Sequence, residues 1–252
     1  APGQLISALG CNPDAGGFWV TPSGAIHPTG VFQPAVDTPG VYKYVVPAVG
    51  GCAADTAWVT VEVRQPPNAG SDGSVSICST DALVNLFSVL GSDAQSGGQW
   101  TLGGVLVSGL YNPAVDVPGT YLYRVVGLVP CPAAVAAITV AEPVAPYAGE
   151  PATITICSSD APFNMRLQLG GLPQQGGDWY TASGASHTTT FNPGADAGGV
   201  YTYVVSGTAP CANDTAELTI NRAVAPYAGQ SATIAACASQ DSVNLFSALG
   251  MN

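Results

Sequence analysis

Cys52, Cys131 and Cys211 lie 79 and 80 residues apart, and so do Cys78, Cys157 and Cys237. Trp19, Trp100 and Trp179 keep the same beat within two residues, as do Tyr42, Tyr121 and Tyr201. A 252-residue chain with that period is a row of units of about 80 residues, each obliged to bury its own small core. The pentapeptides PPNAG (66–70), APYAG (145–149) and APYAG (225–229) punctuate the series. Proline fixes the backbone and removes a ladder donor, so the module boundaries are expected there. The expected organisation is an incomplete module over 1–64, complete modules over 65–143 and 144–223, and the opening strands of a further module over 224–252.

Within a period the pattern is that of short strands. SVSIC (74–78), ATITIC (152–157) and AITV (137–140) alternate polar and apolar residues, the signature of half-buried strands. GGQW (97–100) and GTYLYRVV (119–126) read as further strands, separated by Gly, Pro, Asn and Asp turns. TDALVNLFSVLG (80–91) departs from this pattern: Leu83, Leu86, Phe87 and Leu90 fall at helical spacing, with Asp81 placed to cap the start and Gly91 the end. It predicts one or two helical turns crossing between two sheets. The fold class expected is all-β: tandem immunoglobulin-like β-sandwiches, each with a short helical crossover.

DTPGVYKYVV (37–46) returns as DVPGTYLYRVV (116–126) and DAGGVYTYVV (196–205). An Asp, a Gly-containing turn and a strand opening on Tyr is the layout of a tyrosine corner. Trp19, Trp100, Trp179, Tyr42, Tyr121 and Tyr201 are therefore expected in the cores rather than on a sugar-stacking surface. Trp58, set near the position of Val135, is the one Trp expected to be exposed. A second Tyr follows two residues after the corner, where antibody domains carry Cys, so any disulfide must sit elsewhere.

Seven cysteines occur without the close C-x-x-C pairs that zinc sites favour. One is expected to end the second strand and one to precede the last strand, once per module. The pairing expected is Cys78 with Cys131 and Cys157 with Cys211, each closing a loop of about 54 residues and contributing roughly 4 kcal/mol in the chain-entropy treatment. Such bonds imply an oxidising, extracellular setting. Cys11, Cys52 and Cys237 are left unpaired or cross-module. Cys11 has two open readings, a bond to Cys52 or a free half-buried thiol.

Composition removes several functions. Only 8% of residues are charged, and five basic residues against 16 acidic ones give a net charge of -11. Nucleic acid, whose phosphates need clustered Lys and Arg, is not an expected partner. No apolar run reaches the roughly 18–20 residues of a membrane span. His27 and His187 sit in equivalent loops 160 residues apart and read as solvated. No catalytic residue, metal site or cofactor is expected; Asp14, Asp72, Asp93 and Asp178 read as turn formers, not a calcium cluster. A carbohydrate-binding array is the alternative, and it requires exposed aromatics repeated in every module.

LFSALGMN (245–252) nearly repeats LISALGCN (5–12). Residue 1 aligns with Ala82 and Ala161, so the first module lacks its opening strands, and 224–252 supply that text with Cys237. Two readings fit. The stretch is a window in a longer tandem array, or tail strands complete the head of another molecule. Either way the partners expected are further copies of the repeat, in the same or neighbouring chains, and 245–252 is expected to pack as Leu86 and Phe87 do.

The order NAGSDGSVSICSTDALVNLFSVLG, GGQW, YNPAVDVPGTYLYRVV, CPAAVAAITV resembles the tandem modules of giant secreted adhesins of Bacteroidota, including gliding-motility adhesins exported by type IX secretion. The resemblance spans the chain. It implies a filament at the bacterial cell surface, attaching to polysaccharide or a substratum through a tip outside this stretch, with no active-site residue carried over. It also implies O-glycosylation at Asp followed by Ser or Thr and a small or apolar residue. Thr56, Thr215 and Ser242 stand in that setting.

Overall fold

The computed structural model describes residues 3–246. The first repeat contributes β1 (Gly3–Gln4), β2 (Phe18–Val20), β3 (Ile26–His27), β4 (Val31–Phe32), β5 (Gly40–Val46) and β6 (Asp55–Val61). The second contributes β7 (Gly73–Ser76), β8 (Val84–Asn85), β9 (Gln99–Leu102), β10 (Val105–Val107), β11 (Leu110–Tyr111), β12 (Gly119–Val125) and β13 (Ala134–Ala141). The third contributes β14 (Ala152–Cys157), β15 (Phe163–Asn164), β16 (Asp178–Thr181), β17 (Ser186–His187), β18 (Thr190–Phe191), β19 (Gly199–Val205) and β20 (Asp214–Ala223).

The third repeat shows the plan most fully. A five-stranded sheet runs β14-β20-β19-β16-β17, and a two-stranded sheet pairs β15 with β18. The second repeat gives the same order, β10-β9-β12-β13-β7 with β11-β8. Between the sheets of the third repeat Met165 and Phe191 meet Trp179, Tyr201, Tyr203, Leu218 and Ile220, all buried. Each such side chain withdrawn from water contributes roughly 1.5–3 kcal/mol. Alternation along β20 follows from this, with Ala216, Leu218 and Ile220 inward and Thr215 and Glu217 outward.

The first strand of the large sheet pairs in parallel with the last, Ala152 opposite Leu218 through Cys157 opposite Ala223. β7 and β13 do the same from Gly73 opposite Ile138. In the first repeat the sheet has four strands, β3-β2-β5-β6, and β6 is its edge.

The expected helical crossover is instead a short strand followed by one 3-10 turn, Leu86–Val89, and likewise Leu5–Ala8 and Met165–Gln168. Leu86 and Leu90 are buried but Leu83 is exposed. Asn164, not an Asp, sets the turn, its side-chain oxygen accepting the Arg166 N–H at 2.9 Å; Asn85 does the same for Phe87 at 3.0 Å. Asp81 caps no helix and accepts the Cys78 N–H at 2.8 Å. A two-residue strand consumes the turn that a longer helix would need.

The chain divides into two compact units, Ala1–Asp72 with Leu90–Val107 and Leu122–Ala137, and Gly73–Val89 with Ser108–Tyr121 and Ile138–Asn252. This division passes through the middle repeat rather than between repeats. Within the second unit Cys78 is bonded to Cys211, and within the first Cys131 donates to the Arg64 carbonyl.

Candidate functional site: cores, linkers and cysteines of the repeat

The three corner tyrosines bond back four residues. Tyr42 donates to the Thr38 carbonyl at 2.9 Å, Tyr121 to Val117 at 2.9 Å and Tyr201 to Ala197 at 2.7 Å. The preceding Asp closes the turn, Asp37 accepting the Gln33 N–H at 2.7 Å, Asp116 that of Asn112 at 2.7 Å and Asp196 that of Asn192 at 2.6 Å. Trp19, Trp100 and Trp179 are all buried.

The second Tyr explains both the missing antibody-type disulfide and the paired glycines before each Trp. Tyr44, Tyr123 and Tyr203 lie against Trp19, Trp100 and Trp179, ring centroids 5.1, 4.9 and 5.0 Å apart. Each phenol donates to a loop carbonyl, of Asp14, Gln95 or Gln174, and accepts the N–H of Gly17, Gly98 or Gly177. A Cβ at Gly177 would meet the Val204 carbonyl oxygen at 2.5 Å and Tyr203 Cζ at 2.7 Å. The second glycine of each pair is therefore a contact surface for a ring.

The linkers are held against the repeat that follows them. The Gln95 side chain accepts the Asn68 N–H at 3.1 Å while its own N–H donates to the Asn68 carbonyl at 2.9 Å. Gln174 repeats the exchange with Tyr147, at 3.2 and 2.9 Å. Gly70 has φ 90° and a Cβ there would meet the Leu90 carbonyl oxygen at 2.5 Å, which accounts for the glycine that ends the pentapeptide.

The two histidines are not solvated. His27 is buried, its Nε2 3.3 Å from Asp37 and its Nδ1 accepting the Gly30 N–H at 3.2 Å. His187 is half-buried and stands 3.4 Å from Asp196. The Gln33 N–H, and beyond it His27, hold the Asp37 carboxyl below its ordinary value against a partial desolvation. Each His lies across from the core Trp, His27 from Trp19 and His187 from Trp179, and meets the corner Tyr edge-on, with ring centroids 5.8 Å from Tyr42 and 5.0 Å from Tyr201 respectively. Val107 faces Trp100 in the middle repeat. There Tyr111 takes the place of Phe32 and Phe191 and donates to Glu142, and burial pushes its phenol well above the ordinary value.

Cys78 is bonded to Cys211, 133 residues on, and Cys131 and Cys157 are free thiols. The within-module pairs Cys78–Cys131 and Cys157–Cys211 are thus corrected, and the parallel register gives the reason. Cys157 lies opposite Ala223, at the far end of the ten-residue strand β20, and Cys211 lies before that strand begins. Ten residues span roughly 33 Å, whereas disulfide Cα atoms lie within about 7 Å. The two cysteines of one repeat occupy opposite ends of it: one where the chain leaves, the other where it enters. A leaving-end cysteine meets an entering-end cysteine only in the next repeat. Alternation along the strand revealed its faces but not the parallel pairing that sets the ends.

Cys11, Cys52 and Cys237 are exposed free thiols. Trp58 is 61% exposed on β6; its cross-strand partner is Lys43, which makes Glu217, paired with Thr202, its counterpart rather than a position near Val135. Thr56 is half-buried, Thr215 and Ser242 exposed. Asp72 accepts the Ala137 N–H at 2.8 Å, and among the described residues no three His, Cys, Asp or Glu gather at metal-binding distance. Among the described residues no helix is long and apolar enough to cross a membrane. The expectation for 245–252 falls mostly outside the described residues; of the two that are described, Leu245 and Phe246 are both exposed.

Two sheets around a Trp–Tyr core, with a tyrosine corner and a parallel first-to-last strand pair, make this chain a tandem array of immunoglobulin-like β-sandwiches. It is similar to a three-Ig fragment of titin, domains I67–I69, in an E-to-A variant and as an I-band fragment, each at 12% identity and TM-score 0.51 over 82% of this chain and 87% of that one. Sidekick-1 immunoglobulin domains 1–5 align at 11% identity and TM-score 0.36 over 84% of this chain and 54% of that one. Likeness at these identities is one of fold. No family model matches the chain, and no curated protein does.

Proposed function

We propose that this chain is shaft material of an extracellular filament at a bacterial cell surface, built from serial β-sandwich repeats and supporting attachment or gliding, with no catalytic role. The observation that carries the reading is the Cys78–Cys211 bond, which links one repeat to the next instead of closing a repeat on itself. A bond of that kind adds little to a binding pocket and much to a load path, because tension on one repeat passes covalently to its neighbour. The Gln95 and Gln174 exchanges support the same reading, since a linker pinned at both polar groups of its backbone has little freedom to flex.

The repeats over 65–143 and 144–223 are its folding modules in this reading, with 1–64 and 224–252 as parts of further ones. The filament is of the Bacteroidota type, its tip contacts surface polysaccharide or a substratum, and Thr56, Thr215 and Ser242 are its O-glycan sites. Imaging of the native assembly by electron microscopy tests the core of the proposal, with a beaded thread expected and a compact particle overturning it. A glycan array with the isolated chain tests the carbohydrate-binding alternative, because saturable binding would sink a purely structural role. Intact mass without added sugar would remove the glycosylation sites.

A further inference from the structure

The Cys78–Cys211 bond closes a covalent loop, and the ends of that loop decide which residues can carry tension. Cys78 follows β7, the first strand of the second repeat, and Cys211 precedes β20, the last strand of the third; the two are 133 positions apart. A pull along the chain from the linker before β7 to the end of β20 therefore reaches Cys78, crosses the two sulfurs and leaves through Cys211. Residues 79–210 hang on that line as a closed loop and are not stretched. The loop holds β8 to β19, with the buried Trp100 and Trp179, the corner residues Tyr121 and Tyr201, and the linker APYAG (145–149).

The strand pairing shows what the loop is spared. Without the bond, tension enters the third repeat at the start of β14 and leaves at the end of β20. These strands are parallel and paired from Ala152 opposite Leu218 to Cys157 opposite Ala223. Pulled at opposite ends, they are forced to slide past each other, and the core opens once that pair gives way. β7 and β13 have the same geometry in the second repeat, from Gly73 opposite Ile138 to Ser76 opposite Ala141. With the bond closed, β13 and β14 both lie inside the loop, so neither pair is sheared.

We propose that the Cys78–Cys211 bond is a redox-controlled stop on extension: closed, it keeps residues 79–210 out of the line of tension, and opened, it adds them to that line. The inference rests on the shaft reading and names what regulates the length of the shaft under load. Opening adds the 133 residue steps between the two cysteines, which lengthens the fully stretched chain by roughly 440–480 Å. Cys78 and Cys211 are both buried, which keeps solution thiols from the bond while the repeats are at rest. The reductant is a small dithiol. One of its thiolates attacks a sulfur of the bond, forms a mixed disulfide with that cysteine and expels the other cysteine as thiolate. The second thiolate of the reductant then displaces the remaining cysteine. The reductant leaves as a cyclic disulfide, two electrons having passed to the protein, and its two protons end on Cys78 and Cys211.

The test pulls single molecules of the whole chain, held through peptide tags fused at its two ends, after the five free cysteines have been alkylated so that only this bond can exchange. The oxidised chain should stop lengthening with the stretch 79–210 still withheld. Adding the dithiol while the molecule is held under tension should raise its final contour length by roughly 440–480 Å. Cys211→Ser should reach the longer length with no reductant present; the reduced wild type makes the same measurement without a variant, so a poorly folding variant costs nothing. An equal final length with and without dithiol, or an oxidised chain that already reaches the longer length, overturns the proposal. Neither result bears on the beaded thread or the glycan array, so the shaft reading stands or falls separately.

Discussion

Gly176 and Gly177 are neighbours with opposite reasons for being glycine, and exchanging each for alanine separates those reasons. At Gly176 φ is 88° and a Cβ would meet nothing within 4 Å, so Gly176→Ala adds only backbone strain, about 1–2 kcal/mol for an L residue on that side of the map. At Gly177 the Cβ would meet Val204 carbonyl oxygen at 2.5 Å and Tyr203 at 2.7 and 2.8 Å. The carbonyl belongs to the sheet, and Tyr203 is held by Trp179 on one face and by two hydrogen bonds at its tip, so neither yields easily. Overpacking of that kind costs typically 1–3 kcal/mol, and losing the Gly177 N–H bond adds about 1 kcal/mol. Gly177→Ala should therefore destabilise the third repeat by about 2–4 kcal/mol, roughly twice the effect next door. Amide hydrogen exchange of peptides within 178–205 reads that repeat alone, and the cost should appear there as faster exchange. Adding Tyr203→Phe frees the ring to shift, so the double variant should cost less than the sum of its parts. If Gly177→Ala proved no worse than Gly176→Ala, the ring-contact account of the paired glycines would be wrong.

Other consequences are open to direct measurement. Cys78→Ser should lower resistance to guanidinium unfolding by about 4–5 kcal/mol, the entropy of a closed loop of that length, or less where repeats unfold separately; an unchanged transition would mean the bond constrains nothing. Tyr201→Phe should cost about 0.5–1.5 kcal/mol through loss of the Ala197 bond, checked by thermal melting against Tyr180→Phe as a half-buried control. The Asp37 carboxyl sits below its ordinary value of 3.8 in the folded chain, so its contribution is complete above that pH and disappears as pH falls through the lower folded value. The stability gap between the wild type and Asp37→Asn should hold steady from pH 6 to 4.5 and close below about 3.8; a gap that widens on acidification would contradict the assignment.

The recurring Cys, Trp and Tyr positions and the Pro-rich pentapeptides are enough to read the period from the sequence, because every repeat must solve the same small-core problem with the same large residues. Strand alternation and the Asp–Gly–Tyr turns are local, so the sandwich and its corner were legible too. The pairing of the cysteines was not. It depends on which strand lies beside which and in what direction, and β14 beside β20 in parallel is a contact between residues more than 60 apart. That register carries Cys157 away from Cys211 and leaves Cys78 to meet Cys211 across a repeat boundary. The histidines show the same limit on a smaller scale: SGAIH and SGASH look like loop text, and only the strand pairing of His27 with Trp19 and His187 with Trp179 carries them in toward Asp37 and Asp196. Sequence determined what each repeat is made of, through packing volume and turn chemistry. Tertiary structure decided which ends meet, because a parallel strand pair fixes direction, and direction is invisible to alternation.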